Sequence, residues 1–598
     1  MSDQQSGTDA TPDAEALAEN FRKLASQSQR LYAAFLKQMG DTEKVPFDPV
    51  TVGNAFMRLS SQMLAHPQQL AEAQIALWRD YVGLWQHMAQ RMTGTEAGEP
   101  DGLPAKGDKR FKDASWEENQ VFHLLRDSYL ITARWLQKTV SEVEGLDDDT
   151  RLKVDFYTRQ FVDAMSPSNF FYTNPEVLRA TVESQGQNLV NGLDNLINDL
   201  ESGRGISQTD FDAFEVGRNV AATPGKVVFQ NRLLQLIQYS PTTKDTYATP
   251  LLICPPWINK FYILDLKPEN SFIKWLVDQG FTVFVVSWVN PDESFAATTF
   301  EDYMKEGLFE AIDAVLRATE QPKLNLVGYC IGGTLVATAL AYLAEKKDKR
   351  IGSATFLTSQ VDFEKAGELR VFIDDEQIKM LEEHMGDAGV LNGRKMAAAF
   401  NMMRANDLIW SFVINNYMLG KHPIPFDLLY WNADGTNMPQ AMHSYYLRNM
   451  YLKNLLSKPG GLTIDGIGID LGKIGQPAYV LATKEDHIAP WKSCYRLPQL
   501  IKGKARFVLA QSGHVAGVIS PPGKTKYGHW TNENLTANPD AWLESATVHD
   551  GSWWPDWAAW LAPQSGKKVA ARTPGEGALS AIEDAPGSYV KVQIDERT

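Results

Sequence analysis

A cysteine, an aspartate and a histidine, each placed where an apolar run gives way to a turn, have the types and the order that suit covalent acyl chemistry. Cys330 stands in Gly328-Tyr329-Cys330-Ile331-Gly332-Gly333, between the apolar run 324–327 and an Ala/Leu-rich stretch at 335–343. A strand that turns sharply into a helix at such a sequence is a nucleophile elbow, with Cys in place of the commoner Ser. Glycines flank the nucleophile because its strained backbone leaves no room for side chains two residues away. At a helix start the dipole favours a thiolate. Taken alone, the motif also fits a buried structural cysteine beside a Gly-rich turn.

A nucleophilic thiol needs a base, and the base needs a carboxylate to orient it. Downstream, the run 478–482 leads into Thr483-Lys484-Glu485-Asp486-His487-Ile488-Ala489-Pro490-Trp491, and 506–510 leads into Gln511-Ser512-Gly513-His514-Val515-Ala516-Gly517. Nucleophile, acid and histidine in this order, each at the carboxyl end of a strand, follow the α/β-hydrolase plan. Asp486 and His514 are therefore the predicted partners of Cys330. Asp362 is the alternative acid and His487 a secondary candidate, while His529 and Cys254 read as structural. An oxyanion hole would use the backbone N–H of Ile331 and a second donor from Cys254-Pro255-Pro256-Trp257-Ile258-Asn259-Lys260. The prolines carry no N–H, which leaves Trp257 or Ile258.

The elements that must position these residues follow from periodicity. Strands are predicted at 226–239 (a pair), 250–254, 281–288, 324–329, 351–357, 477–482 and 505–510, with helices at 272–279, 303–319 and after the elbow. This alternation implies an α/β-hydrolase fold, over 205–562, with a mostly parallel sheet. A long insertion at about 360–476 carries helical patterns and reads as a cap over the elbow. Before it, 15–204 reads as an all-helical domain, with a Gly/Pro-rich linker at about 94–109. Within that domain Leu70, Leu77, Trp78, Tyr81, Trp85 and Met88 form a helical stripe, suited to packing or to docking. Residues 1–14 read as disordered and 563–598 as a loosely attached tail.

Composition narrows the function. A formal charge of −15 argues against a general nucleic-acid binder. Three cysteines without a C-x-x-C pair indicate neither a disulfide framework nor a zinc knuckle. No apolar run is long enough to span a bilayer, and the start lacks signal-peptide features, which points to the cytoplasm.

Together, the elbow, the run Pro255-Pro256-Trp257-Ile258-Asn259-Lys260-Phe261-Tyr262-Ile263-Leu264-Asp265-Leu266, the Asp486 loop and the His514 loop resemble the bacterial polyhydroxyalkanoate synthases. The likeness extends to Pro167-Ser168-Asn169-Phe170, Thr173-Asn174-Pro175-Glu176, Pro425-Phe426-Asp427-Leu428-Leu429-Tyr430-Trp431-Asn432, Gly551-Ser552-Trp553-Trp554-Pro555 and Pro586-Gly587-Ser588-Tyr589-Val590-Lys591. Chain length and the helical amino-terminal region look like the class I members. The resemblance implies an acyltransferase that polymerises short-chain (R)-3-hydroxyacyl-CoA, such as 3-hydroxybutyryl-CoA, into polyester through a thioester on Cys330. Coenzyme A is then part of the substrate and a product, and no cofactor or metal is required. In the family, the residue at Asp486 is assigned to activating the substrate hydroxyl, in addition to or instead of orienting His514. The resemblance further implies a homodimer at the surface of cytoplasmic polyester granules, with granule-associated proteins as partners. Arg404, Lys421 and Arg448 are candidate contacts for coenzyme A phosphates. The rival readings are a cysteine thioesterase on the same scaffold and a granule-coating protein.

Overall fold

The computed structural model describes residues 49–93, 107–523 and 526–594, with isolated helical positions between 19 and 31. The disordered start predicted for 1–14 and most of the linker predicted at 94–109 lie outside the described residues. The chain folds as two compact units, one formed by residues up to Asp210 with Ala398–Ile424, the other by Phe211–Ala397 with residues from Pro425 onward. Among the described residues no helix is long and apolar enough to cross a membrane.

The first unit is helical: α1 (Pro49–Ala65), α2 (Pro67–Met92), α3 (Gln120–Ser141), α4 (Asp148–Ala164), α5 (Pro175–Glu183) and α6 (Gln187–Ser202). Its starts are written in the sequence. The Asp147 side chain accepts from the Thr150 N–H, and Asn174 accepts from Glu176 and Val177 with Pro175 at the first helical position. Along α2, Leu84 is buried, whereas Ile75, Trp78, Val82 and Trp85 face outward, with Trp78 58% exposed and Trp85 55%. The aromatic stripe is therefore only partly a packing face.

The insertion predicted as a single cap at 360–476 is shared between the units, because its middle packs on α6. Asn188 and Asn195 side chains donate to the Met418 and Asn416 carbonyls, at 2.8 and 3.0 Å, and the Tyr417 hydroxyl donates to Asp199 at 2.6 Å. The receiving segment winds in wide π-type turns at Asn406–Trp410 and Val413–Met418. Polar side chains of α6 meet the carbonyls that such turns leave open.

The second unit is built on an eleven-stranded sheet. In chain order its strands are β1 (Gly225–Gln230), β2 (Leu234–Tyr239), β3 (Leu251–Cys254), β4 (Val283–Trp288), β5 (Leu324–Tyr329), β6 (Ile351–Leu357), β7 (Ala478–Thr483), β8 (Ala505–Ala510), β9 (His529–Thr531), β10 (Thr547–His549) and β11 (Glu583–Asp584). Their order across the sheet is β10-β9-β8-β7-β6-β5-β3-β4-β2-β1-β11. The six strands β3 to β8 run parallel and the rest pair antiparallel at the flanks. Parallel strands are covered on both faces, and β4, β5 and β7 are buried at every position, as their unbroken apolar runs require. The helix after β5, α7 (Ile331–Glu345), is buried from Ile331 to Leu343, which explains its small, apolar residues.

The tail predicted as loose is instead threaded back onto the sheet. Residues 568–570 pair with 245–247, and β11 pairs with β1. Val590 is buried, and the Tyr589 hydroxyl donates to the Asn231 carbonyl at 2.7 Å. Within the tail, Tyr589–Lys591 forms a single tight helical turn.

Candidate active site

Four loops leave the carboxyl ends of β3, β5, β7 and β8, so they emerge on one edge of the sheet. Cys330 follows β5 directly and takes φ 54°, ψ −126°, a region that a non-glycine residue enters only under strain. Its neighbours make the strain tolerable. A side chain on Gly328 would run into the backbone of Gly333, and one on Gly332 into the carbonyls of Cys254 and Pro255. The second of these approaches places the loop after β3 against the first turn of α7. Ile331 opens that helix, so its N–H has no intrahelical acceptor.

The His514 and Asp486 loops are tied together where Glu485 N–H donates to the Ser512 carbonyl at 2.9 Å. His514 Nδ1 lies 2.7 Å from Asp486 Oδ2. Asp486 is oriented by three further donors: Ile488 and Ala489 N–H at 2.9 and 2.8 Å, and the Thr483 hydroxyl at 3.1 Å. Cys330 is the other side chain that acts on the imidazole, through its charge and as a hydrogen-bonding neighbour. With Nδ1 committed to Asp486, Nε2 is the nitrogen left to take a proton from the sulfur. Burial is the largest influence on His514 and opposes its charged form. The Asp486 carboxylate, the Cys330 sulfur and the hydrogen bonds to both outweigh it and raise His514 well above the ordinary histidine value. The arrangement can hold a proton on the imidazole while negative charge sits on sulfur.

Several supporting residues escaped the sequence reading. Tyr329 stacks on the His514 ring at 5.8 Å, and the Trp553 and Trp554 indoles donate to the Gly517 and Val518 carbonyls that follow it. Tyr446 and Tyr451 are buried, their rings 5.5 Å apart and edge to face. Burial first, then negative charge on Cys330 among other neighbours, pushes both phenols up. Phe363 packs on both rings. The motif around Trp553 was visible in the sequence, but the two tyrosines read only as part of a helical run.

These observations meet a consistent set of relatives. Residues 107–276 match the family model described as poly-beta-hydroxybutyrate polymerase (PhaC) N-terminus, and residues 249–521 match the alpha/beta hydrolase fold. The poly(3-hydroxyalkanoate) polymerase subunit PhaC of Rhizobium etli is 47% identical, over 97% of this chain and 92% of its own. The chain belongs to the poly(3-hydroxyalkanoate) polymerase family. The polymerase of Methylorubrum extorquens is 48% identical with 98% of each chain covered, and that of Cupriavidus necator 45% identical with 88% and 89% covered.

The remaining residues singled out in this polymerase-family chain have other engagements. Asp362 pairs with Arg496 at 3.1 Å and accepts from Asn454 and Glu364. His529 Nδ1 donates to the Gly551 carbonyl at 3.1 Å. Among the described residues, the hydrogen-bond partners of the Asp486 carboxylate do not include His487. Cys254 is completely buried, which pushes its thiol up and keeps it protonated. Trp257 and Ile258 follow Pro255 in the loop after β3, whose Cys254 and Pro255 carbonyls approach Gly332. Arg404, Lys421 and Arg448 are each paired with a carboxylate: Asp407 at 2.5 Å, Glu176 at 3.5 Å and Glu382 at 2.7 Å.

Proposed function

We propose that the chain polymerises short-chain (R)-3-hydroxyacyl groups from their coenzyme A thioesters into polyester, carrying the growing chain on Cys330. The observation that carries this reading is a buried imidazole whose Nδ1 lies 2.7 Å from Asp486, with Cys330 standing at the strained turn after β5 on the same edge of the sheet. His514 Nε2 takes the thiol proton, the sulfur attacks the thioester carbonyl, and the resulting oxyanion is met by the N–H groups of Ile331 and of Trp257 or Ile258. Collapse breaks the carbon–sulfur bond to coenzyme A, and His514 returns the proton to that leaving thiol. One carbon–sulfur bond replaces another, so loading is nearly isoenergetic. In elongation the 3-hydroxyl of one acyl unit attacks the thioester carbonyl of another, its proton passes to His514 or to Asp486, the carbon–sulfur bond of the attacked thioester breaks, and the departing thiolate takes that proton up again. Every proton has an acceptor within the triad, and no cofactor enters.

Water is the competing nucleophile, and the aromatic wall of Phe363, Tyr446 and Tyr451 supports its exclusion. The outward row of Ile75, Trp78, Val82 and Trp85 on α2 suits adhesion to a polyester granule. We place the enzyme there as a homodimer, in line with its family resemblance. Incubation with 3-hydroxybutyryl-CoA tests the reading. Insoluble polyester with release of coenzyme A is expected, and Cys330→Ala abolishes both. Free hydroxy acid as the sole product would establish a thioesterase, no turnover by the wild type would leave a coat protein, and polymer made by Cys330→Ala would overturn the role given to Cys330.

A further inference from the structure

The loop proposed to supply the second oxyanion donor is anchored on its far side by one short segment, 431–436. The Trp431 indole donates to the Lys260 carbonyl at 2.7 Å, and the Thr436 N–H donates to the Ile258 carbonyl at 3.2 Å. The Thr436 hydroxyl donates to the Trp257 carbonyl. Asn259 and Gly435 form an antiparallel bridge. At the end of the loop Lys260 Nζ meets Asp434 Oδ1 at 2.5 Å, and the Tyr262 hydroxyl donates to Asp434 Oδ2 at 2.8 Å. Lys260 and Asp434 side chains are only 3% and 9% exposed. Burial, the largest influence on each, pushes the lysine down and the carboxyl up, so each charge depends on the other.

A buried ion pair is a poor way to gain stability, since well-packed apolar residues do as well or better. Its strength is directional, and here both charges end on the loop whose angle matters. We propose that Asp434 and Thr436 are positioning residues for the oxyanion loop, holding the peptide planes of Trp257 and Ile258 so that an N–H points at the carbonyl bound to Cys330. The proposal rests on the acyl-cysteine reading above. Neither residue touches substrate, and both act through the loop.

Thr436→Val and Asp434→Asn test it, with rates expressed per Cys330 thiol titrated by iodoacetamide. Alkylation passes through no oxyanion, so its rate at Cys330 should stay at the wild-type value in both variants. On 3-hydroxybutyryl-CoA, kcat should fall about tenfold or more with KM within about twofold, as expected of a displaced transition-state donor. Wild-type kcat per thiol in Thr436→Val overturns the proposal. If Asp434→Asn fails to fold, the double variant Lys260→Met/Asp434→Leu replaces charge by packing. A folded double variant with kcat still depressed supports the directional role, and one with full kcat refutes it. Hydrogen exchange over residues 255–262, read by mass spectrometry, separates this proposal from the function. Exchange should quicken in Thr436→Val even if the wild-type chain releases no coenzyme A, and unchanged exchange refutes the latch alone.

Discussion

Replacing Asp486 by Asn isolates what the carboxylate does. The Asn carbonyl oxygen can keep the two N–H donors now held by Oδ1, Ile488 and Ala489, so the loop should stay in place. Its amide nitrogen then occupies the Oδ2 position, 2.7 Å from His514 Nδ1. An N–H facing Nδ1 forces that nitrogen to accept, which moves the ring proton to Nε2 and leaves nothing to take a proton from Cys330. Loss of the correct tautomer costs about 10⁴ in rate, or about 5.5 kcal/mol of barrier. The assay is a single turnover with an acyl-CoA that lacks the 3-hydroxyl, so that only loading of Cys330 takes place and coenzyme A release reports it. A burst slowed by about 10⁴, with circular dichroism unchanged, is expected. A burst within about tenfold of wild type would refute the argument, and would assign Asp486 to the later attack of the hydroxyl.

The elevated titration of His514 predicts a pH signature in stability. Because its folded value lies above the unfolded 6.5, its contribution is full below about pH 6.5 and fades as pH rises through the folded value. The gap in melting temperature between wild type and His514→Gln should therefore shrink on going from pH 6 to alkaline pH. His443 predicts the opposite slope. Burial lowers it to about 4, so protons bind the unfolded chain first between pH 6.5 and about 4, and acidification through that window should cost about 3 kcal/mol. His443→Phe should flatten this acid limb in urea titrations. Trp257 Nε1 and Ser287 Oγ are both buried without a protein partner, and both line one cavity of about 10 Å³. A high-resolution crystal structure is expected to show a single water bonded to both. Trp78→Ser with Trp85→Ser should lower the fraction of enzyme sedimenting with polyester while leaving turnover on dissolved substrate intact.

The proposed triad was legible because its constraints fall on adjacent residues. Gly328 and Gly332 are dictated by contacts that any side chain would break, and the apolar runs before 330, 486 and 514 mark the strands that deliver those loops to one edge. What stayed hidden depends on pairings distant in sequence. Strands β9 and β10 have three residues each, too few for a period to emerge, and β11 exists only because β1 lies beside it. The division of the insertion rests on Asn188, Asn195 and Asp199, polar residues that look like solvated helix positions until the carbonyls they meet are known. Tyr446 and Tyr451 fit an ordinary apolar helix pattern, and nothing in their spacing points toward Cys330.

The end of the chain acts as a zip fastener for an open sheet. Residues 582–585 take up the Gly225 and Val227 backbone that would otherwise offer unmet hydrogen bonds to any passing strand. A protein trimmed back to about residue 580 would keep Cys330, Asp486 and His514 and still bare a sticky margin, so clumping, rather than loss of chemistry, is the first fault to look for in shortened versions.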